Sequence, residues 1–176
     1  MFVFILAALL LILSAIFVWI YNSLVFRKNS VEQSWSGIQT FIKKKADLIP
    51  DLITVVNKST DYEKELLKQI TDARARITQF QSTETQQLKD SDELSQLIKK
   101  VLVINEAYPQ MSSSQNFLEL QKSIQDVEEN LSAARRAYNA SILNYNNGVE
   151  FFPHNIVAKI YSFQKKPVYE AINDND

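Results

Sequence analysis

The sequence predicts an all-α protein with an N-terminal transmembrane helix, an antiparallel up-and-down four-helix bundle and a short amphipathic C-terminal tail. Three observations support this class. The first 21 residues are apolar apart from Ser14, apolar side chains further on recur at spacings of three and four, and the 176 residues include two glycines and no cysteine. So few glycines leave little room for the turns of an all-β fold. We place the anchor at residues 1–26, the bundle at 27–148 and an aromatic tail at 149–176.

The N-terminal segment has the length of a membrane span. Its 20 residues from Phe2 to Tyr21 carry no charge and cover about 30 Å as a helix, which matches the hydrocarbon core of a bilayer. Trp19 and Tyr21 are predicted membrane-interface residues, because aromatic side chains favour the ends of a span. Arg27 and Lys28 complete this interface set. A cleaved signal peptide is the alternative, but it requires a basic start and a small-residue cleavage site, and neither is visible.

The basic residues that follow the span predict its orientation. Arg27 and Lys28 lie closest to it, and Lys43, Lys44 and Lys45 come later in the chain. Only the α-amine offers positive charge on the other side of the span. By the positive-inside rule, the protein is a single-pass membrane protein with Met1 outside and the bundle in the cytoplasm.

The first two helices of the bundle are indicated by apolar periodicity. Residues 31–56 form helix one, which continues from the anchor. Pro50 lies within it, so we expect a kink or a local break near Asp47. Thr60 and Glu63 have the spacing of a capping box and begin helix two. The apolar positions are Val31, Trp35, Ile38, Ile42, Ala46, Ile49, Leu52 and Val56 in helix one, and Tyr62, Leu66, Ile70, Ala73, Ile77 and Phe80 in helix two.

The third helix follows a polar stretch, residues 81–89, and the fourth comes after it in the chain. Asp90 and Glu93 are predicted to cap helix three, which Pro109 ends. Helix four has apolar steps of three and four from Phe117 onward, and Gly148 is predicted to end it as a left-handed residue. The predicted bundle core contains Trp35, Ile38, Ile70, Ile77, Val101, Leu120, Val127 and Leu131.

The long apolar seam of helix four is typical either of an intrachain bundle or of an intermolecular coiled coil. Four amphipathic segments of comparable size with short connections favour the bundle. Self-association through the remaining surface stays an open alternative. The sequence shows no internal repeat of fixed period, which argues against a solenoid.

The tail is rich in aromatic side chains, and residues 153–163 are predicted to form a short amphipathic helix. An up-and-down bundle returns the end of helix four toward the membrane. The tail then lies on the bilayer surface or folds across the end of the bundle, and the second is favoured because it hides apolar patches. Candidate interaction residues are Phe151, Phe152, Pro153, Asn155 and Phe163 in the tail, with Asp47, Pro50 and Asp51 in helix one.

The sequence offers no constellation for catalysis or for a metal. His154 is the only histidine, which excludes a histidine-based metal triad and predicts instead a polar residue at a helix start. Asp90, Asp92 and Glu93 lack the calcium-loop pattern with its central glycine. The protein is therefore predicted not to be an enzyme and to need no cofactor. A net charge of −1, from 19 basic and 20 acidic residues, gives no reason to expect nucleic-acid binding.

Several blocks of residues resemble one family. Tyr21-Asn22-Ser23-Leu24-Val25 follows the anchor, Val31-Glu32-Gln33-Ser34-Trp35-Ser36-Gly37-Ile38 begins helix one, Lys44-Lys45-Ala46-Asp47-Leu48-Ile49-Pro50-Asp51-Leu52 surrounds its proline, and Phe152-Pro153-His154-Asn155-Ile156-Val157-Ala158 lies in the tail. In this order they are similar to the LemA family of bacterial membrane proteins. Ser162 departs from the glycine that this family usually has, and Asp51 stands where asparagine is common. The resemblance implies a location in the bacterial cell membrane, an N-terminal membrane helix and an antiparallel four-helix domain, with no established activity, cofactor or metal.

The sequence thus predicts a membrane-anchored, non-enzymatic scaffold or adaptor, whose bundle is presented to protein partners or to copies of itself. The alternative is a membrane-surface or membrane-remodelling module that uses the aromatic tail as a second attachment. Membrane lipid and an unidentified protein are the expected partners. Nucleic acid and small-molecule substrates are not expected.

Overall fold

The computed structural model describes residues 1–57, 64–78, 82–104 and 114–169. These residues form five helices and no strand, which confirms the all-α class. The helices are α1 Phe2–Asn57, α2 Lys64–Ile77, α3 Glu84–Ile104, α4 Gln115–Glu150 and α5 His154–Ile160. The predicted cap at Thr60 and Glu63, the predicted apolar positions Tyr62 and Phe80, and the predicted stop at Pro109 lie outside the described residues.

Contacts divide the chain into two compact units. Unit 1 contains Met1–Gly37 and Arg135–Val168, and unit 2 contains Ile38–Ala134 and Tyr169–Asp176. The long helices α1 and α4 therefore contribute to both units. The membrane and bundle boundaries set from the sequence stay a prediction.

Unit 2 is a helical bundle with an aliphatic core. Lys45 Nζ on α1 lies 2.9 Å from Glu128 Oε1 on α4. Asp51, later in α1, borders the same groove as Glu119, earlier in α4. The two helices therefore run in opposite directions, as neighbours in an up-and-down bundle do. The buried apolar residues of unit 2 include Ile38, Ile42, Ala46, Ile49, Leu52, Val56, Leu67, Ile70, Ala73, Ile77, Leu88, Leu94, Leu97, Ile98, Val101, Phe117, Leu120, Ile124 and Leu131.

Helix α1 continues through Pro50 without a break, so the expected local break near Asp47 is wrong. Proline has no N–H, and the carbonyl four residues earlier, that of Ala46, loses its helical donor. Arg74 on α2 replaces this donor, because its Nε–H donates to the Ala46 carbonyl oxygen over 2.8 Å. A side chain from a neighbouring helix thus satisfies the backbone group that Pro50 leaves unpaired.

The start of α3 also differs from the prediction. The helix begins at Glu84, and Thr83 Oγ1 accepts a hydrogen bond of 3.3 Å from the Gln86 amide. The helix therefore begins within the polar stretch that precedes Asp90, and the caps predicted at Asp90 and Glu93 are wrong. Glu, Gln, Leu and Lys in that stretch are good helix formers, and this propensity outweighs the absence of apolar periodicity.

Two further expectations are corrected in α4. Val127 is only half-buried, whereas the other seven residues of the predicted core are buried. Gly148 does not end α4, because the helix continues to Glu150 and no described glycine has a positive φ. A Cβ at Gly148 would instead meet Arg27 Cδ at 2.8 Å and Leu24 Cδ2 at 3.4 Å. The glycine therefore permits close approach of α1.

Candidate membrane-proximal site

Helix α1 is, among the described residues, the helix that is long and apolar enough to cross a membrane. Residues 1–16 are all exposed, as are Val18 and Trp19. The first buried side chain is that of Ile20, which is 3% exposed, and Leu24 follows with 0%. Contacts with the rest of unit 1 therefore begin where the apolar segment ends.

The short helix α5 packs against this end of α1. Val157 and Ala158 form a buried cluster with Ile20 and Leu24. Phe17, Tyr21, Val149 and Phe163 pack around the cluster. The sequence correctly predicted a short amphipathic helix within residues 153–163 and placed His154 at a helix start, and the structure adds that its apolar side folds back onto its own chain.

Aromatic rings join the tail to the same stretch of α1. The Tyr161 ring centroid lies 6.1 Å from that of Phe17 and 4.7 Å from that of Tyr21. The Trp19 and His154 rings meet edge to face at 5.9 Å. Such ring pairs contribute about 0.5–1.5 kcal/mol beyond the area they bury. The tail is therefore fixed at the level of residues 17–21.

A tight turn after α5 directs Phe163 into this cluster. The Phe163 amide donates to the Ala158 carbonyl over 2.9 Å, and the Ser162 amide donates to the Lys159 carbonyl over 3.4 Å. These bonds are those of a Schellman cap, which requires a left-handed residue between them. Ser162 takes that conformation with φ 56°. The glycine expected at this position from the family resemblance is thus explained by its backbone angle, which serine adopts at a cost.

The end of α4 holds the chain beyond the turn. The Tyr145 hydroxyl donates to the Gln164 carbonyl over 2.9 Å. The Asn146 side chain forms two hydrogen bonds with the Lys166 backbone. Its Nδ2 donates to the Lys166 carbonyl oxygen over 2.8 Å, and its Oδ1 accepts from the Lys166 N–H over 2.9 Å. Burial raises the pKa of the Tyr145 phenol. The neutral hydroxyl therefore remains available as a donor.

The two basic residues of the predicted interface differ in their surroundings. Arg27 Nη1 donates to the Asn144 carbonyl oxygen over 3.0 Å and also bonds the Asn144 side-chain oxygen. Lys28 is exposed, and its Nζ lies 3.9 Å from Glu32 Oε1. Arg27 is thus committed to contacts within unit 1. Lys28 keeps an ammonium group that is directed toward solvent and borders a groove.

The outer side of the tail is apolar and exposed. The exposed fractions are 62% for Phe151, 79% for Phe152, 53% for Ile156 and 62% for Ile160. These residues flank the buried pair formed by Val157 and Ala158 in the sequence. Unit 1 therefore buries one side of the tail and leaves a second apolar side uncovered.

The structure groups most of the predicted site residues in unit 1. These are Trp19, Tyr21, Arg27, Lys28, Phe151, Phe152, Pro153, Asn155 and Phe163. Asp47, Pro50 and Asp51 belong to unit 2, where Asp51 borders a groove of about 370 Å³ with Leu48 and Glu119. Sequence reasoning did not single out Phe17. Its signal is weak, since a phenylalanine in an apolar segment is ordinary.

A buried charge in unit 2 was also missed. Lys43 and Lys44 are exposed, but Lys45 is 1% exposed. Its ammonium donates to Ser95 Oγ over 2.6 Å and to Ser91 Oγ over 3.2 Å, beside Glu128. Its position three residues after Ile42 places it on the buried side of α1, and this spacing is the signal that was available. No cluster of three metal-ligating side chains occurs in the part of the chain that the structure describes.

Two comparisons with known proteins identify the family of this chain. The model of the LemA family matches residues 34–176. Protein LemA of Metamycoplasma hominis is 23% identical over 160 residues, which cover 89% of this chain and 73% of the relative. The family resemblance found in the sequence blocks is thereby confirmed.

Proposed function

This chain belongs to the LemA family, and from that premise we propose that it is a non-enzymatic scaffold held at a bacterial membrane by two attachments. The first is the apolar part of α1, which spans the bilayer once. The second is the exposed apolar side of the tail, which inserts into the headgroup region. Between them they hold the chain at the membrane, and the surface of its helical domain receives protein partners or further copies of the chain.

One observation carries this proposal: the tail packs against the end of the apolar segment, from Phe17 to Leu24. Val157 and Ala158 are buried against Ile20 and Leu24, so α5 lies beside the boundary between lipid and water if α1 spans the membrane. Ile156 and Ile160 of α5 remain exposed there. In water, exposed apolar side chains promote aggregation, whereas at a membrane interface they insert into the lipid and bind it.

The energies are sufficient for a second attachment. Full burial of a Phe or Ile side chain contributes about 1.5–3 kcal/mol. Phe151, Phe152, Ile156 and Ile160 are all more than half exposed, so partial insertion of these four side chains contributes several kcal/mol. Because α1 already concentrates the tail at the bilayer, little association entropy opposes this insertion.

Unit 2 offers an exposed acidic surface on α1 that could receive a protein partner. The Asp47 and Asp51 side chains are exposed on α1 and lie one turn apart, a spacing that suits contact with a basic partner. We assign the domain a role in binding on the strength of this exposed acidic pair.

Depth measurement tests the second attachment on the full chain in lipid nanodiscs. The sequence contains no cysteine, so Phe152→Cys and Ile160→Cys each provide one site for a nitroxide label. We expect labels at both positions to be accessible to oxygen and protected from a water-soluble nickel chelate. Ser36→Cys, at an exposed polar position of α1, is the matched control and should show the opposite pattern. Water-exposed labels at positions 152 and 160 would refute the second attachment.

The orientation is tested separately. Arg27 and Lys28 favour a cytoplasmic domain with Met1 outside. A reporter that is active only outside the cytoplasm, fused after Asp176, should therefore be silent. Activity of that reporter would reverse the assigned topology without affecting the packing of the tail on α1.

A further inference from the structure

A groove in unit 1 lies between the end of the apolar segment and the turn after α5. Its volume is about 350 Å³, and its lining includes Tyr21, Lys28, Tyr161, Ser162 and Gln164. All of these residues belong to unit 1. The groove is open on one side, so it admits part of a larger molecule and does not enclose a small one.

The lining combines aromatic walls with hydrogen-bond donors and one cation. Tyrosine and serine hydroxyls and the Lys28 ammonium all donate to oxygen acceptors, and phosphate oxygens are strong acceptors. Two other cations of unit 1 have partners outside the groove, since Arg27 bonds Asn144 and Lys165 pairs with Glu150. Glu32, at 3.9 Å from Lys28, forms only an exposed ion pair that competes weakly.

The depth of the groove matches the headgroup layer of a bilayer. Tyr21 is the last residue of the apolar segment, and Lys28 follows seven positions later in the same helix, or about 10 Å along its axis. The headgroup layer on each side of a bilayer is about 5–8 Å thick. The groove therefore extends through the layer in which lipid phosphates lie.

We propose that this groove binds the phosphate group of an anionic phospholipid. Lys28 supplies the positive charge, the hydroxyls of Tyr161 and Ser162 donate hydrogen bonds to the phosphate oxygens, and the aromatic rings contact the glycerol backbone. This inference rests on the proposed function, because the groove reaches a headgroup only if the apolar part of α1 spans the membrane. It adds to that function a preference for anionic lipid.

Lipid retention by the full chain provides the test. The protein is reconstituted in nanodiscs of phosphatidylcholine with a minor fraction of phosphatidylglycerol, transferred to detergent, and examined for retained lipid by native mass spectrometry. One lysine near an anionic membrane contributes about 1 kcal/mol, which corresponds to about a five-fold change in binding. We expect Lys28→Gln to reduce phosphatidylglycerol retention about five-fold and Tyr161→Phe to reduce it as well.

Two controls separate the sources of the signal. Lys122→Gln removes an exposed lysine of α4 in unit 2 and should leave retention unchanged. Addition of inorganic phosphate should not displace the lipid, and efficient displacement would assign the groove to free phosphate instead. Equal retention of phosphatidylglycerol by the wild-type chain and Lys28→Gln would overturn the proposal.

The label measurement at positions 152 and 160, repeated on the same samples, distinguishes the two possible failures. Buried labels without a preference for phosphatidylglycerol would refute the groove and leave the membrane attachment intact. Labels in water would refute both.

Discussion

The two units of this chain use polar groups in different ways. Unit 2 buries a charge, Lys45, among Ser91, Ser95 and Glu128 inside an aliphatic bundle. Unit 1 packs aromatic rings around a small aliphatic cluster and uses hydrogen bonds to the backbone to hold its tail. The polar cluster of unit 2 joins α1, α3 and α4 through side-chain contacts. The apolar exterior of unit 1 suits contact with lipid.

Each unit also accommodates, inside a long helix, a residue that often ends or breaks helices. In unit 2, Arg74 supplies the donor that Pro50 removes from α1. In unit 1, Gly148 lies inside α4 and leaves space for Leu24 and Arg27. In both cases a side chain that is distant in the sequence explains how the residue fits inside the helix. The predictions below test these differences in order of decreasing effect on the free energy of unfolding, measured on the full chain in detergent.

The largest effect is expected from Glu128→Gln. This change leaves the buried Lys45 ammonium without a carboxylate, and removal of one partner of a buried ion pair costs about 3 kcal/mol. Glu129→Gln is the control, because Glu129 is exposed and bonds only Gln125 one turn away in the contacts described. The double variant Lys45→Met with Glu128→Leu should recover most of the loss. Equal effects of the changes at positions 128 and 129 would show that the buried cluster contributes no more than a surface contact.

Arg74→Leu should cost about 2 kcal/mol, because it leaves the buried Ala46 carbonyl without a donor. Pro50→Ala restores the backbone N–H, so the same Arg74→Leu change should cost less than about 1 kcal/mol in that background. Denaturant unfolding of the wild type, both single variants and the double variant measures this coupling. Additive costs would contradict the role assigned to Arg74.

Substitution of alanine for the two glycines of unit 1 should change the free energy of unfolding in opposite directions. Gly148→Ala forces Arg27 away from Asn144, and we expect a net loss of about 1 kcal/mol after the gain in helix propensity is counted. Gly37→Ala meets nothing within 4 Å and should gain about 0.5–1 kcal/mol. Paired thermal melts provide the comparison. Increased stability at both positions would show that close approach of α1 does not explain the glycine at position 148.

The smallest effect is expected at the turn after α5. Ser162→Gly relieves a left-handed conformation that costs an L-residue about 1 kcal/mol or more, but it also increases the entropy of the unfolded chain. We expect a net gain of about 0.5 kcal/mol, detected as slower amide exchange at Phe163. Ser162→Ala should bring no gain, and an equal gain there would attribute the effect to the lost hydroxyl.

The periodicity of the sequence by itself determined the helical class, the apolar segment of α1 and most of the core. Trp35, Ile38, Ile70 and Leu131 are buried as predicted, because an apolar stripe at helical spacing must be covered whatever covers it. The family was also accessible from ordered blocks of residues. These features depend on local patterns, and local patterns are what a sequence displays directly.

Only the tertiary structure decided the roles of Lys45, Arg74 and Gly148. The spacing of Lys45 after Ile42 places it on the buried side of α1, but it does not show which groups compensate the charge, because Ser91, Ser95 and Glu128 come from helices far along the chain. A glycine near a helix end is equally compatible with a left-handed cap and with a close helix approach. The choice depends on which side chain of another helix occupies the space, and that is a property of packing.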